Sequence, residues 1–423
     1  MTNALPVIAR RLVPMLIALA LDAWMFSFAP VHAIGPSWML LLLAALACFW
    51  VLWQPAGMRR DDFLPALAVL LSGLGVMLVA RLSPHLAQRQ LVWLLVSLVL
   101  AISAGPFFST IRRLAAVKYI WVILSLIFFG LLVLFGREVN GAKLWIVLGP
   151  VRYEPVEIIK LCIVFFLAAY LSETGDVIAM TRPWSIRENA KYLGPLLLGW
   201  LPALIILILQ HDIGMAALLL AVFASMLYAA TRRIDLVLGG LCVFALCAWF
   251  ALHHYGYVQT RVSVWLHPFA DPLGRGYQSA QAYFSLAAGG LFGTGYRLGH
   301  PEFIPNVAND YVYAAFSEEF GALGGLVLLW LFGVLAFRMF AVAVAQPDLF
   351  AKLLALGMGA TLAFQTVVIT GGVVGLFPLT GITLPFVSYG GSSLLANFLL
   401  VALVWAISAR PMTWSRESSA SSS

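Results

Sequence analysis

Charged residues are scarce in this chain of 423 residues: Asp, Glu, Lys and Arg make up 10% of it, and 62% is apolar. Soluble domains contain about 25% charged residues, so the composition excludes an ordinary soluble protein. Cysteine is scarce as well, and every cysteine falls in a long apolar run, which gives no sign of an extracellular disulfide framework. The four are Cys48, Cys162, Cys242 and Cys247.

Familiar catalytic signatures are also missing. The sequence has no Walker loop, no HExxH helix, no G-x-S-x-G turn and no pair of Cys or His residues at metal-ligand spacing. The glycine-rich run at residues 289–295 (GGLFGTG) has the composition of a phosphate-binding loop, but the Lys and Ser/Thr that complete such a loop do not follow it. A phosphate-binding loop and a plain turn both remain open for this run.

Long apolar runs dominate what is present. A membrane core of about 30 Å requires roughly 20 apolar residues per helix, and the runs are too long and too continuously apolar for barrel strands. They predict an all-α polytopic membrane protein with about 12 transmembrane helices. The runs lie near residues 12–32, 37–54, 63–81, 91–110, 119–136, 155–172, 194–210, 213–230, 234–252, 322–341, 353–371 and 392–409.

Basic residues indicate the orientation. With the N-terminus inside, about two thirds of the 25 Lys and Arg residues fall on the cytoplasmic side, as the positive-inside rule expects. Both termini are therefore predicted to be cytoplasmic. The net charge of +7 follows from this topology and does not indicate a nucleic-acid partner.

The first 33 residues allow a second interpretation. Arg10 and Arg11 precede an apolar run that ends in Val31-His32-Ala33, as in a secretory signal peptide. The run is long for a signal peptide, contains Asp22 and is followed at once by another apolar run. A pair of membrane helices is therefore favoured.

Three extracytoplasmic segments interrupt the predicted spans: residues 137–154, 253–321 and 372–391. The middle segment forms a large loop between spans 9 and 10. Within it, Gln278, Gln281 and Ser285 recur at helical spacing opposite aromatic and Ala residues, which predicts a short amphipathic helix at the membrane surface. This helix either covers a cavity or packs on the outer ends of the spans.

Ionisable residues at membrane depth cost at least about 2.5–3.5 kcal/mol each and therefore suggest function. Glu157 and Lys160 share one helix face, Asp212 lies in a sharp break between spans 7 and 8, and Asp310 lies in an irregular segment before span 10. The predicted topology places all four on the outer side. One shared site and a set of ion pairs that fix helix register are both possible; for Asp310 the site is favoured, because no opposite charge lies within four positions.

The motifs between residues 136 and 408 resemble those of the SEDS (RodA/FtsW-like) family. The run LPFVSYGGSS at residues 384–393 matches the family motif without a change. The other matching stretches are residues 140–146 (NGAKLWI), 154–160 (EPVEIIK), 210–214 (QHDIG), 261–265 (RVSVW), 276–278 (GYQ) with Gln281, 289–295, and 304–319 (IPNVANDYVYAAFSEE).

Several positions depart from the family pattern, and they cluster near Asp310 without replacing it. They are Leu144, Glu154, Val156, His211, Asn306, Ala308 and Asn309, where the family has Arg, Gln, Ser, Pro, Glu, His and Thr. The family usually has ten spans, so residues 1–62 resemble the N-terminal two-span addition of its twelve-span branch. Residues 63–409 would be the glycosyltransferase membrane core, with the extracytoplasmic loop at 253–321, and residues 410–423 a disordered cytoplasmic tail.

The resemblance implies a peptidoglycan glycosyltransferase in the bacterial inner membrane. Such an enzyme polymerises lipid II, a disaccharide peptide linked to undecaprenyl pyrophosphate, at the outer face of the membrane during elongation, division or sporulation. It works with a class B penicillin-binding protein. A divalent cation, Mg or Mn, is the cofactor that would suit the departing pyrophosphate.

Asp310 is the expected general base of this reaction. Lys143, Arg261, Arg275 and Arg297 are the basic residues expected to hold phosphates. The substrate cavity is expected to contain Glu157, Lys160, Asp212, Lys143, Arg261, Gln278, Gln281, Ser388 and Tyr389.

Two other functions fit parts of the sequence. A transporter or lipid II flippase would explain the intramembrane charges and the helices broken by Gly or Pro. However, it requires polar groups at both leaflets, whereas the candidates here crowd the outer one. An inactive SEDS-like scaffold would explain the altered residues around Asp310.

Overall fold

The computed structural model describes residues 4–27, 37–52, 58–107, 111–139, 142–149, 151–182 and 186–411. In these residues the chain is almost entirely helical, so the predicted all-α class is confirmed. The helices are α1 (Ala4–Phe26), α2 (Ser37–Leu52), α3 (Phe63–Leu82), α4 (Pro84–Phe107), α5 (Ile111–Ala116), α6 (Lys118–Phe135), α7 (Val156–Met180), α8 (Ile186–Leu209), α9 (Ile213–Thr231), α10 (Ile234–His254), α11 (Gly256–Leu266), α12 (Tyr277–Gly289), α13 (Val312–Val344), α14 (Leu349–Val373) and α15 (Gly391–Ile407).

Each predicted span overlaps a helix. Among the described residues, eight helices are long and apolar enough to cross a membrane: α3, α4, α6, α8, α9, α10, α13 and α14. Helices α2 and α15 are apolar but shorter, and α1 and α7 carry charged residues. The count of twelve spans therefore stays a prediction. The predicted ends at 28–32, 53–54 and 108–110, the possible cleavage site at 31–33 and the tail at 412–423 lie outside the described residues.

The segment between spans 9 and 10 is mostly helical rather than a loop. It contains α11, α12, a short 3-10 helix (Pro301–Phe303) and the first part of α13. Helix α13 continues across a break at Gly321, where φ is 73°. A Cβ there would lie 2.4 Å from the backbone of residues 291 and 293, so only glycine fits. The break lets the start of α13 turn toward the outer segment.

Two small sheets accompany the helices. Strands β2 (Gly136–Val139), β3 (Ala142–Leu148) and β4 (Val151–Tyr153) form an antiparallel sheet in the order β2-β3-β4. Strands β1 (Met58–Arg59) and β5 (Arg410–Pro411) form an antiparallel pair. The sequence analysis predicted no strand at 137–154, which was interpreted only as an extracytoplasmic segment between spans.

Helix α7 is the centre of the bundle and packs against α6, α9, α14 and α15. Close packing depends on a small residue of α14: a Cβ on Gly357 would lie 2.6 Å from side-chain atoms of Met226 and Val164. Because lipid is as apolar as a leucine side chain, such close contacts, rather than exclusion of water, stabilise helix pairs in a membrane. Helices α1 and α2 pack on α3 and α4 at the periphery, and α10 buries no side chain at all. The cysteines lie in α2, α7 and α10 and are free.

Candidate active site

The first turns of α7 carry a buried ion pair. Glu157 and Lys160 contact each other on one helix face, as their spacing predicts, and the Lys160 side chain is 0% exposed. Lys160 Nζ also donates to Oε1 of Gln365 in α14 at 2.8 Å, and Gln365 Nε2 donates to the carbonyl of Thr383 at 2.9 Å. The pair is therefore connected through α14 to the segment at 372–391, which the sequence analysis predicted to be extracytoplasmic.

Asp212 caps α9 in the break between α8 and α9. Its Oδ1 accepts a hydrogen bond from the backbone N–H of Met215 at 3.0 Å, which satisfies a free donor at the start of the helix. Gly214 lets the turn approach Thr380, since a Cβ there would lie 2.5 Å from the Thr380 side chain. Burial raises the pKa of Asp212 to about 6, so this carboxyl titrates near neutral pH.

Asp310 lies in the irregular turn that precedes α13, and the run LPFVSYGGSS at 384–393 holds this turn. Ser388 Oγ donates to the carbonyl of Asn309 at 2.6 Å, and the Tyr389 N–H donates to the carbonyl of Ala308 at 2.8 Å. The Ser388 hydroxyl in turn accepts from the Leu384 N–H at 2.9 Å. Ser388 and Tyr389, predicted as cavity residues, therefore fix the backbone that positions Asp310.

Gln90 of α4 supports this arrangement from behind. Its Nε2 donates to the carbonyl of Ser388 at 3.1 Å, and its Oε1 accepts from the Gly390 N–H at 3.3 Å. The sequence analysis missed Gln90. Gln90 directly precedes the apolar run at 91–110 and follows Gln88 and Arg89, so the sequence gave no signal that set it apart from an ordinary polar end of a span.

Arg261 of α11 approaches Asp310 at Gly381. The Arg261 guanidinium donates to the carbonyls of Leu379 and Thr380 at 3.2 and 3.0 Å. A methyl group placed on Gly381 would lie 3.9 Å from both Arg261 Nη2 and Asp310 Oδ2, so the cation and the acid face the same point. Burial raises the pKa of Asp310 to about 7, and the positive charge of Arg261 opposes this shift.

Glu154 is a further acid of the site. Burial raises its pKa well above the usual value, and the negative charges of Glu157, Asp212 and Asp310 raise it further, while Lys160 opposes the shift. Its backbone N–H donates to Ser392 Oγ at 2.8 Å. The sequence analysis noted Glu154 only as a departure from the family motif. Its position three residues before Glu157 could have indicated a second acid near the same end of α7.

These residues form one charged group, which we call the acid cluster. It consists of Glu154, Glu157, Lys160, Asp212, Arg261 and Asp310. The structure brings Glu157, Lys160, Asp212 and Asp310 together in this group, and their role as one site on the outer side stays a prediction. A carboxyl that is about half ionised near pH 7 and faces a guanidinium can accept a proton while a neighbouring anion is held.

Other predicted site residues lie around the acid cluster. Gln278 of α12 donates from Nε2 to the Pro305 carbonyl at 2.7 Å and so supports the far end of the Asp310 turn. Gln281 lies on the same helix and is half-buried. Arg275 and Arg297 are exposed, and the described contacts connect neither to the acid cluster. Lys143 lies in β3, but its side chain is outside the described residues.

The glycine-rich run at 289–295 packs on α13. A Cβ on Gly289 would lie 2.2 Å from the Ser317 carbonyl, and one on Gly293 would lie 2.2 Å from the Glu319 carbonyl. Glycine is therefore required for contact with the helix backbone. This geometry favours the plain turn over the phosphate-binding loop.

The described residues offer no metal centre of their own. Across the described residues, no three His, Cys, Asp or Glu side chains converge in a way that could hold a metal ion. The carboxylates of the acid cluster therefore do not fit a metal centre built by this chain, and the Mg or Mn expected from the sequence stays a prediction.

Comparison with known proteins identifies relatives over most of the chain. The sequence model of the FtsW, RodA and SpoVE family, described as cell cycle proteins, matches residues 63–412. Peptidoglycan glycosyltransferase RodA of Mycobacterium tuberculosis is 38% identical over 373 residues, which cover 82% of this chain and 78% of the relative. Stage V sporulation protein E of Bacillus subtilis is 35% identical over 279 residues, which cover 64% of this chain and 73% of the relative.

Solved structures show the same architecture. A structure described as structural coordination of polymerization and crosslinking by a peptidoglycan synthase complex aligns with a TM-score of 0.69 and 32% identity, covering 82% of this chain and 97% of that chain. Rod shape determining protein RodA of Thermus thermophilus aligns with a TM-score of 0.61 and 29% identity, covering 84% and 98%. The acid cluster lies within the part of the chain that the family model matches.

Proposed function

Because the chain belongs to the FtsW, RodA and SpoVE family and is a peptidoglycan glycosyltransferase, we propose that it polymerises lipid II with Asp310 as the general base. The observation that carries this proposal is that Asp310 and Arg261 face the same point beside Gly381. The Asp310 carboxyl has a pKa of about 7 and is therefore partly ionised, as a base must be, at neutral pH.

The reaction joins two lipid-linked disaccharides. The 4-hydroxyl of one sugar attacks the anomeric carbon of the other, and the bond from that carbon to undecaprenyl pyrophosphate breaks, so the pyrophosphate leaves with the electron pair. Asp310 takes the proton of the attacking hydroxyl. A positioned base of this kind contributes about 10²–10⁴ in rate.

Arg261 is the basic residue best placed to stabilise the negative charge of the departing pyrophosphate. Its Nη1 is held by two carbonyls, and its Nη2 faces the same point as Asp310. Donors that are fixed before the reaction stabilise developing charge without reorganisation. Glu157 and Lys160 neutralise each other and shape the inner surface of the site rather than bind substrate charge.

The protein is a multi-pass protein of the bacterial inner membrane. We place both termini in the cytoplasm and the acid cluster at the outer face, because the distribution of basic residues favours this orientation. A class B penicillin-binding protein is the proposed partner, in keeping with the synthase complex whose fold the chain shares.

The test is polymerisation of purified lipid II by the detergent-solubilised full chain, with and without its penicillin-binding protein. We expect Asp310→Asn to lower the rate by about 10²–10⁴ while the protein remains folded. Asp271→Asn is the matched control: it makes the same change at an exposed acid of the same segment and should retain the parental rate.

Two results would contradict the proposal. Polymerisation by Asp310→Asn at the parental rate would remove Asp310 from the role of base. No polymer from the parent, even with the partner, would favour a scaffold, and lipid II translocation in vesicles by the same preparation would favour a flippase.

A further inference from the structure

The small sheet between α6 and α7 lies beside the acid cluster. Strand β2 directly follows α6, and β4 ends at Tyr153, which directly precedes Glu154. The backbone N–H of Glu154 donates to Ser392 Oγ at 2.8 Å, so the end of β4 is fixed to the run at 384–393. The Cα atoms of Arg152 and Glu154 are at most about 7 Å apart, since two extended residues span no more than this.

Strand pairing determines which side chains share each face of this sheet. Arg137 of β2 pairs with Trp145 of β3, and Val147 of β3 pairs with Arg152 of β4. Paired residues lie on the same face, and so do residues two positions apart on one strand. The four side chains therefore form one surface, which we call the basic face.

The opposite face of the sheet is turned toward the helices. Ile146 and Tyr153 form a pair on that face, and Ile146 packs against the buried apolar core. The basic face is consequently directed away from the bundle. Arg137 and Arg152 are exposed, and neither forms an ion pair with a side chain that the structure describes, so both charges are available to an anion.

The dimensions of the basic face suit an extended chain. Arg137 and Arg152 lie on the two outer strands, with Trp145 between them on β3. From the spacing of strands and of residues along a strand, the Cα atoms of the two arginines are about 12 Å apart. Trp145 is half-buried, and within the described part of the chain no other ring or cation covers its indole ring. A chain lying diagonally across this face would pass over the indole and meet a cation on each side.

Two chemical properties of the basic face indicate its ligand. The negative face of an indole ring attracts the C–H groups on the apolar side of a sugar ring. A guanidinium group binds a carboxylate through paired N–H donors. A glycan strand that carries peptide stems offers both partners, because its backbone consists of sugar rings and each peptide ends in a carboxylate.

We infer that the basic face binds the growing glycan strand as it leaves the acid cluster. A sugar ring stacks on Trp145, and carboxylates of the peptide stems contact Arg137 and Arg152. This inference rests on the proposed polymerisation of lipid II, and it concerns the product rather than the reacting groups. A strand that stays bound after one bond has formed can be extended again before it dissociates, so the basic face favours long strands.

Binding of phosphate-free glycan strands to the detergent-solubilised full chain tests this inference. Strands of one length are compared with the same strands after their carboxylates have been converted to neutral methylamides. We expect the parent to bind the carboxylate strands about tenfold more tightly, the effect of two exposed ion pairs. Arg137→Gln/Arg152→Gln should lose this preference. Arg275→Gln/Arg297→Gln, which changes two exposed arginines outside the sheet, is the matched control and should retain it.

Substitution of Trp145 tests the contact with the sugar separately. Trp145→Ala should weaken binding of both kinds of strand by about threefold to tenfold, the effect of one aromatic contact, and Trp145→Phe should restore part of the loss. The preference for carboxylates should remain in both variants, because the two arginines are unchanged.

Several results would overturn the inference. They are equal binding of the two kinds of strand by the parent, an unchanged preference in Arg137→Gln/Arg152→Gln, and parental binding by Trp145→Ala. Retention of phosphatidylglycerol but of neither strand would assign the basic face to a lipid surface and overturn it as well. Polymerisation of lipid II by the parent in the same preparation reports on the proposed function, so a parent that polymerises but binds no strand would overturn this inference alone.

Discussion

The acid cluster lies between two regions that are held in different ways. On one side are the inner helices α7, α9 and α14, whose side chains are buried along most of their lengths. On the other is the outer arm, formed by α10 and α11, in which α10 buries no side chain and α11 buries only Val258.

The outer arm is attached to the inner part by polar contacts of α11. Arg261 donates to the carbonyls of Leu379 and Thr380, and Trp265 Nε1 donates to the Gly375 carbonyl at 2.8 Å. The His211 and Tyr257 rings also contact each other. Packing therefore fixes the acids of the inner helices, whereas hydrogen bonds to a single segment fix the cation. The two regions should respond differently to substitution.

The largest effect is expected in the inner helices, at the buried ion pair. Lys160→Met leaves Glu157 buried without its cation and should destabilise the protein by about 3–5 kcal/mol. The double variant Lys160→Met/Glu157→Gln should recover much of this loss, because no unpaired charge remains. Unfolding of both variants in one detergent gives the measurement; equal losses would show that the pair contributes through packing rather than charge.

A matched pair of leucines compares the two regions directly. Leu219 of α9 is 1% exposed and Leu246 of α10 is 67% exposed. Leu219→Ala should cost about 2 kcal/mol, the low end for a buried leucine, because only packing is lost in lipid. Leu246→Ala should change stability by less than about 0.5 kcal/mol. Similar Tm losses for the two variants would mean that α10 is packed in the functional state.

Substitution of Ser388 should reduce stability less than the two preceding changes. It should, however, clearly lower the rate of polymerisation. Ser388→Ala removes the hydrogen bond to the Asn309 carbonyl and should cost about 1 kcal/mol. Polymerisation should fall about tenfold to a hundredfold, because the base moves from its position. Ser225→Ala, which removes a similar bond inside α9, is the control and should keep its activity. Unchanged activity of Ser388→Ala would contradict the positioning role.

The smallest expected effect comes from the outer arm. Substitution of Arg261 should shift the pH profile of kcat/KM. Asp310 must be ionised to act as a base, so kcat/KM should rise with pH up to about 7 and then level off. Arg261 favours the ionised carboxylate, so Arg261→Gln should raise the pKa of Asp310 and move the rising limb to higher pH. Arg275→Gln, at an exposed arginine, should not move it. An unshifted limb in Arg261→Gln would separate Arg261 from Asp310.

Much of this architecture could be predicted from local signals. Each apolar run located a helix, and helical spacing placed Glu157 and Lys160 on one face and predicted α12. Asp310 could be singled out because it lies in an irregular segment and has no opposite charge within four positions that would explain it as part of an ion pair. The motifs in the third extracytoplasmic segment pointed to Ser388 and Tyr389 as site residues.

Contacts between distant parts of the chain could not be predicted in the same way. The hydrogen bonds from Gln90 to Ser388 and from Glu154 to Ser392 join residues more than two hundred positions apart. Sequence periodicity predicts only contacts between residues close in the chain and therefore cannot predict these bonds. The β2-β3-β4 sheet was missed because residues 137–154 were interpreted only as a connection between spans. Arg261 was expected to hold phosphate, and its contacts with Leu379 and Thr380 depend on how a later segment folds back.

The late position of that segment has a consequence for biosynthesis. Asp310, Arg261 and Glu154 each depend on residues between 379 and 392, which leave the ribosome after almost all of the membrane helices. Since chains are made and inserted from the N-terminus, a nascent protein would carry every reactive group yet keep them unassembled until α15 enters the bilayer. Incomplete chains would thus be unable to consume lipid-linked sugar. Insertion of α15 would complete the site and allow catalysis to begin.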